Sequence, residues 1–319
     1  MMSVLEALEV FPVSLPLRHR FRRVESREAI LIRGPAGWGE FSPFPDYPPE
    51  VTTRWLASAL EGACTVWPAS QRSRVPVNVT VPAVKPDVAR EIVLASGCRT
   101  AKVKVGEPGQ PPDEDFARVA AVREALGRDG KVRIDVNAAW TLDQATDRLQ
   151  KLASFDLEFA EQPVRTIEEM IELRRRVVVP IAADETVRMA ADPLEVAERG
   201  AADVIVIKVQ PLGGVVRALD LAARAGLPAV ISSALETSVG IAAGVAAAAA
   251  LPTLDYACGL GTVSMFFDDV VAEPLLPVGG FLTTRRPEPE PELLEKHAAT
   301  GDVAALMLRR LRSAAEVLA

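Results

Sequence analysis

The sequence predicts an α/β chain, a modified (β/α)7β TIM-like barrel carrying an α+β capping domain built from the N-terminal region and the C-terminal tail. Three observations lead there. From about residue 75 short apolar runs alternate with amphipathic stretches, eight of the first and seven of the second, which is the rhythm of parallel strands joined by crossover helices. Charged residues cluster where the middle runs end, where a barrel of this kind carries its active site. The segments before residue 75 and after residue 276 have a different texture, and 319 residues exceed one ordinary core. The expected division is 1–74 and 277–319 for the cap and C-terminal segment, and 75–276 for the barrel.

Taken in order, residues 3–13 and 28–33 run or alternate apolar and suggest two strands of a hairpin. Between them 15–23 is a basic loop with His19, Arg20, Arg22 and Arg23. It is either a solvated turn or a mobile lid bringing charge to an anionic substrate. Residues 34–40 carry turn chemistry, 41–49 hold four prolines and suggest an irregular loop, and 50–64 have helical periodicity. Strands are expected at 75–81, 100–105, 132–136, 158–161, 181–184, 204–209, 229–232 and 256–258. The helices between them are expected at 86–96, 113–126, 141–153, 167–176, 193–199, 215–225 and 239–250. Gly127, Gly200 and Gly226 stand where helix ends want a left-handed residue. A Pro/Glu-rich stretch, 286–292, precedes a final helix at 303–318.

Composition excludes several classes. A net charge of −7 argues against a nucleic-acid surface. Residues 1–12 lack the continuous apolar core of a signal peptide, and the alanine-rich run 239–251 is too short to span a bilayer. Three cysteines without C-x-x-C spacing suit a reducing cytoplasm and no zinc site. Two histidines, His19 and His297, leave no multi-histidine metal cage. A small molecule acted on by a monomer or small homo-oligomer is the expected setting.

The charged strand ends carry the chemistry. Lys102 and Lys104 are two apart, so both point to one face of their strand. Like charges side by side disfavour protonation, which can bring such a lysine toward neutrality as a general base. Asp135, Glu161 and Asp184 end three successive strands, 26 and 23 residues apart, one β/α unit each. Three converging carboxylates repel unless a cation neutralises them, and an all-oxygen set suits Mg²⁺, with Mn²⁺ as a substitute. Each alone is also compatible with a helix N-cap. Lys208 ends an almost wholly apolar strand, where a lysine is costly unless paired or catalytic. Lysines on strands two and six flank the carboxylates from opposite sides, a layout suited to proton abstraction next to a substrate carboxylate.

K-x-K on strand two, D-x-N at 135–137, E-Q-P at 161–163, D-E at 184–185 and Lys208 together resemble the enolase superfamily, in its muconate-lactonizing-enzyme subgroup. The resemblance covers the whole chain, with 37–40 similar to the cap turn of that family and 208–214 to its strand-six segment. The short length, abbreviated cap and the serine-rich segment 232–238 are most similar to the o-succinylbenzoate synthases of menaquinone biosynthesis. That resemblance implies a lyase: syn dehydration of a hydroxycyclohexadiene carboxylate to 2-succinylbenzoate. It implies Lys104 as the base that then protonates the departing hydroxyl, Lys208 as the charge on the opposite face, and Lys102 tuning Lys104. It implies Asp135, Glu161 and Asp184 as Mg²⁺ ligands, supported by Asn137 and Glu185. Ser232 and Ser233 are expected at the succinyl carboxylate, with Arg20 and His19 as further candidates.

The acidic D-x-D of the dipeptide epimerases is missing at 257–262. An N-succinylamino acid racemase or a cycloisomerase keeps the same site with another substrate. A Schiff-base aldolase through Lys208 and a non-catalytic binding protein are the remaining rivals.

Overall fold

The computed structural model describes residues 2–21 and 24–318. The chain opens with a short helix, α1 (Met2–Glu6), and a three-stranded antiparallel sheet, β1 (Glu9–Phe21), β2 (Val24–Gly34) and β3 (Gly37–Phe41), in the order β1-β2-β3. Helix α2 (Pro49–Cys64) packs against it. Gly39 is required there, because a Cβ at that position would lie 1.9 Å from the Ala59 carbonyl oxygen. The next strand, β4 (Arg74–Pro76), pairs antiparallel with Phe281–Thr283 near the chain end.

The barrel then runs β5 (Val79–Val81), α3 (Pro86–Ser96), β6 (Thr100–Lys104), α4 (Pro112–Leu126), β7 (Lys131–Asp135), α5 (Leu142–Leu152), β8 (Leu157–Glu161), α6 (Ile167–Arg176) and β9 (Ile181–Ala183). It continues through α7 (Glu185–Arg188), α8 (Glu195–Glu198), β10 (Val204–Lys208), α9 (Val209–Leu212), α10 (Val215–Ala225), β11 (Ala229–Ser232) and α11 (Ser238–Ala250). β12 (Phe281–Thr283), α12 (Pro291–Lys296) and α13 (Gly301–Leu318) complete the chain. Strands β5 to β11 form one parallel seven-stranded sheet in sequence order.

Closure comes from the segment after α11. Cys258 bridges Val77 and Gly259 bridges Ser232, with Asn78 N–H donating to Cys258 O at 2.9 Å and Gly259 N–H to Ile231 O at 2.8 Å. The eighth strand expected at 256–258 is therefore a pair of single bridges rather than a ladder. Gly259 lies so close to β11 that a Cβ would stand 2.4 Å from Ser232 Oγ.

Three further expectations are corrected. The strand expected at 75–81 is broken, with β4 turned outward to β12 and only β5 in the barrel. The helix expected at 193–199 shrinks to α8, because the Asp192 carboxylate accepts from Leu194 N–H at 3.0 Å and forms a local turn instead. The basic loop is not a loop. β1 extends to Phe21, Leu15 and Leu17 alternate inward, and Leu17 bridges Phe266 of the barrel. Residues 15–21 with 24–27 thus form a hairpin arm leaning over the barrel; Arg22 and Arg23 lie outside the described residues. Residues 3–6 are helix, and 37–40 are strand β3 beyond a two-residue turn at 35–36.

One hydrophobic core fills the space between barrel strands and outer helices. A second unites β1, β2, α2 and α13 with barrel residues Ala234, Leu235, Val239, Met265 and Phe266. No helix among the described residues is long and apolar enough to cross a membrane.

Candidate active site

Strand register assembles the charged residues. Lys104 pairs with Asp135, Asp135 with Glu161, and Glu161 with Ala182, so one rung crosses four strands at the C-terminal rim. Asp184 stands two residues beyond Ala182 and shares its face. Lys208 closes β10 on a rung with Ser232. The apolar neighbours Ala101, Val103, Ile134, Ala160, Ile205 and Ile207 are buried, which fixes the alternation and leaves the charged side chains no other side to take.

The three carboxylates and three ammoniums form one buried network. Lys102 Nζ lies 3.0 Å from Asp135 Oδ2 and donates to both Glu161 oxygens at 3.1 and 3.2 Å. Lys104 Nζ donates to Asp135 Oδ2 at 2.5 Å and to Asn137 Oδ1 at 2.6 Å. Lys208 Nζ donates to Asp184 Oδ2 at 2.5 Å, on the far side of the carboxylates. Asp135, Glu161 and Asp184 are at most 1 % exposed.

Burial opposes every charge here, and the partners decide the outcome. Burial works against the Lys102 ammonium, but Asp135, Glu161 and Asp184 outweigh it and raise its pKa. Lys102 is therefore not the member of the lysine pair that drifts toward neutrality, because carboxylates surround it more closely than its fellow lysine does. Asp135 and Asp184 are likewise disfavoured by burial yet held well below the usual carboxylate range, by Lys102 and Lys104 in the first case and by Lys208 and Arg188 in the second. Glu161 goes the other way. Burial and the Asp135 charge push its carboxyl up to about 7 despite Lys102.

The donor set tests well against a hard divalent cation, being three oxygen anions on adjacent strand ends with Glu161 still short of positive charge. As the side chains stand, no three acidic groups among the described residues are gathered closely enough to cage an ion. Lys102 lies hydrogen bonded between two of them instead.

Supporting groups surround this centre. Asn137, with φ of 48°, links Lys104 to Glu185, donating to Glu185 Oε1 at 3.1 Å. Arg188, one helical turn past Asp184, donates to Asp184 at 3.0 Å, to Glu185 at 2.6 Å and to the Tyr47 hydroxyl. Gln162 accepts from Asp184 N–H at 3.0 Å and Thr186 N–H at 3.1 Å and so fixes the turn after β9. The sequence reading missed Arg188, although its i+4 spacing from Asp184 was a usable signal, and it gave Gln162 no role.

Ser232 and Ser233 line the inner pocket beside Lys208. Ser233 Oγ lies 2.9 Å from Thr262 Oγ1. Phe21 from the arm, Phe44 from the cap, Thr80 on β5 and Leu235 complete the wall, and none was named from sequence. Phe21 covers Lys104, whose Nζ lies 5.2 Å from the ring centre. Thr80 is 5 % exposed, and its hydroxyl has no hydrogen-bond partner among the described residues. Arg20 lines an outer cleft of about 900 Å³ that reaches Lys104 and Asn137. His19 is exposed and lines neither space.

Residues 86–289 match the family described as enolase C-terminal domain-like, and residues 12–63 the one described as enolase N-terminal domain-like. The chain is 59 % identical over 273 residues to an o-succinylbenzoate synthase of Thermobifida fusca, covering 86 % of each chain. It is 52 % identical over 299 residues to one of Mycolicibacterium smegmatis, covering 93 % of this chain and 91 % of that one. Among solved structures it superposes on the muconate lactonizing enzyme of Pseudomonas fluorescens with a TM-score of 0.77 at 21 % identity, covering 92 % and 98 % of the two chains. It superposes on the N-succinyl Arg/Lys racemase of Bacillus cereus with 0.78 at 20 % identity, covering 92 % and 97 %, a likeness of fold. A barrel with these lysines and carboxylates gathered at its strand ends, under a cap of this topology and at these identities, belongs to the enolase superfamily and within it to the o-succinylbenzoate synthase family.

Proposed function

We propose that this chain dehydrates 2-succinyl-6-hydroxy-2,4-cyclohexadiene-1-carboxylate to 2-succinylbenzoate, the lyase step its relatives are named for. The observation that carries the reading is the placement of Lys104 and Lys208 on opposite sides of the Asp135–Glu161–Asp184 group. Asp135, Glu161 and Asp184 would hold Mg²⁺, which supplies positive charge to the substrate carboxylate as the α-proton leaves. Lys104 takes that proton and returns it to the hydroxyl on the same face, so that water departs and the ring becomes aromatic. Lys208, charged against Asp184, stabilises the negative charge that spreads onto the carboxylate from the other face. Lys102 holds Asp135 and Glu161 in place, and Asn137 steers the Lys104 ammonium. Ser232 and Ser233 meet the succinyl end.

The inner pocket measures about 20 Å³, whereas ligand sites run to several hundred. The wall around the inner pocket would therefore have to give way to admit the substrate.

The test is to supply the diene carboxylate to purified protein with Mg²⁺ and then with EDTA, with N-succinylamino acids run in parallel. Fast, metal-dependent aromatisation is expected. Rapid racemisation without dehydration would keep the site and overturn the substrate.

A further inference from the structure

Three buried charged residues at the junction of cap and barrel take no part in the chemistry above. They are Arg27 on β2, Glu40 on β3 and Glu236 after β11, all at most 4 % exposed. All three converge on residues 234–240, the turn from β11 into α11, which supplies Ala234 and Leu235 to the pocket wall. Arg27 donates from Nε to Leu235 O at 3.0 Å and from Nη2 to Ala234 O at 3.2 Å and to Ser42 O. Its guanidinium carbon sits 4.3 Å from the ring centre of Phe44, the cap's own share of that wall. Glu40 accepts at the other end of the turn, from Thr237 N–H at 3.2 Å, Thr237 Oγ1 at 2.6 Å and Gly240 N–H at 3.0 Å. Glu236 accepts from Ala234 N–H at 2.7 Å within the turn.

The cap thus offers a cation to the carbonyls and an anion to the N–H groups of one short segment. That segment needs holding. Leu235 has φ of +65°, a left-handed conformation that is strained for a non-glycine residue and persists only where surroundings over-determine it. The packing leaves no slack, since a Cβ on Gly240 would lie 2.6 Å from Glu236 Cβ. Arg27 suits the task because its planar fork spans two carbonyls at once, and an ammonium does not.

We propose that Arg27 is a positioning residue for substrate. It locks Phe44, Ala234 and Leu235 into one wall, and so sets how firmly the pocket grips the part of the substrate that does not react. The lysines that move the proton are left undisturbed. The substrate rests on the dehydratase reading above; the wall does not.

The experiment compares wild type with Arg27→Lys, which keeps the charge facing Glu40 and Glu236 but loses the fork. Steady-state kinetics on the diene carboxylate are run beside amide hydrogen exchange. The expected result is a KM raised about tenfold or more, the scale of a lost charge-assisted hydrogen bond, with kcat changed less than about threefold. Exchange should quicken at 234–240 and stay unchanged at 131–135 and 157–161. A fall in kcat at constant KM, or faster exchange everywhere, would overturn the proposal, since a merely structural arginine predicts the second. Phe44→Leu is the companion variant should Arg27→Lys fail to fold, and it must give the same raised KM and the same local exchange; an unchanged KM sinks the idea. If wild type does not dehydrate the diene, the function reading falls and the exchange pattern alone judges Arg27.

Discussion

The two halves of the barrel mouth are built on different principles. On the side of β6 to β9, Lys104, Asp135 and Glu161 lie on one hydrogen-bonded rung, and Asp184 follows two residues past its next member. Their positions follow from sheet register alone. On the side of β11 and the closing segment, the wall is made of loop residues, a hairpin arm and a cap phenylalanine. Two single bridges and a buried arginine hold it. On the function proposed above, the half built on register would carry the proton chemistry and the other half would meet the rest of the substrate. One barrel can therefore keep its reaction while loops change what it accepts.

The sharpest way to break that division is Lys104→Ala. If the base sits on the rung, turnover falls about a thousandfold or more while the protein still folds and binds Mg²⁺. Single-turnover kinetics with a metal-binding titration check it; surviving turnover would move the base off the rung. Glu161→Gln comes next. Losing one of three anionic ligands should weaken Mg²⁺ binding by about tenfold or more, read by calorimetry. Unchanged affinity would remove Glu161 from the ligand set.

What the sequence made legible follows the same division. Lys102 and Lys104 two apart, and carboxylates one β/α unit apart, are local regularities that a barrel turns directly into geometry. The other half depends on contacts across the chain. Arg27 reaches Leu235 from 208 residues away, and Leu17 meets Phe266 through a single bridge. No periodicity announces such contacts. The basic stretch reads as a loop because the strand character of residues 15–21 comes from pairing with β2 and from burying Leu15 and Leu17 in the core of the cap. Gly259 allows the closing segment to approach Ser232, and the expected strand is there as two bridges. The pull of the carboxylates on Lys102 was hidden for the same reason. Its sequence neighbour is a lysine, and its spatial neighbours are Asp135 and Glu161.

The other half makes its own prediction with pH. Burial, and then the Glu40 charge, push the Glu236 carboxyl up to about 7. The raised value means the fold favours the protonated form. That contribution to stability is present in full below the unfolded value near 4.3 and is lost as pH rises through about 7, by about 4 kcal/mol at most. Thermal melts between pH 5 and 8 should show the decline, and Glu236→Gln, neutral throughout, should make it shallower, leaving the share of Glu161, whose carboxyl is also pushed up to about 7. A wild-type profile that already matches the variant would mean that Arg27 compensates the carboxylate fully.

The smallest effect separates stability from function at one atom. Thr80 sits on β5, in register with Lys102, and its buried hydroxyl has no partner among the described residues. An unsatisfied buried hydroxyl costs about 1 kcal/mol or more, so a fold selected for stability alone would carry valine there. Thr80→Val should therefore raise the melting temperature by a degree or more. It should also raise KM severalfold, if the hydroxyl is kept for the substrate. A variant that gains stability with kinetics intact would mean the hydroxyl serves nothing in the pocket, and β5 would then belong to the scaffold rather than to the site.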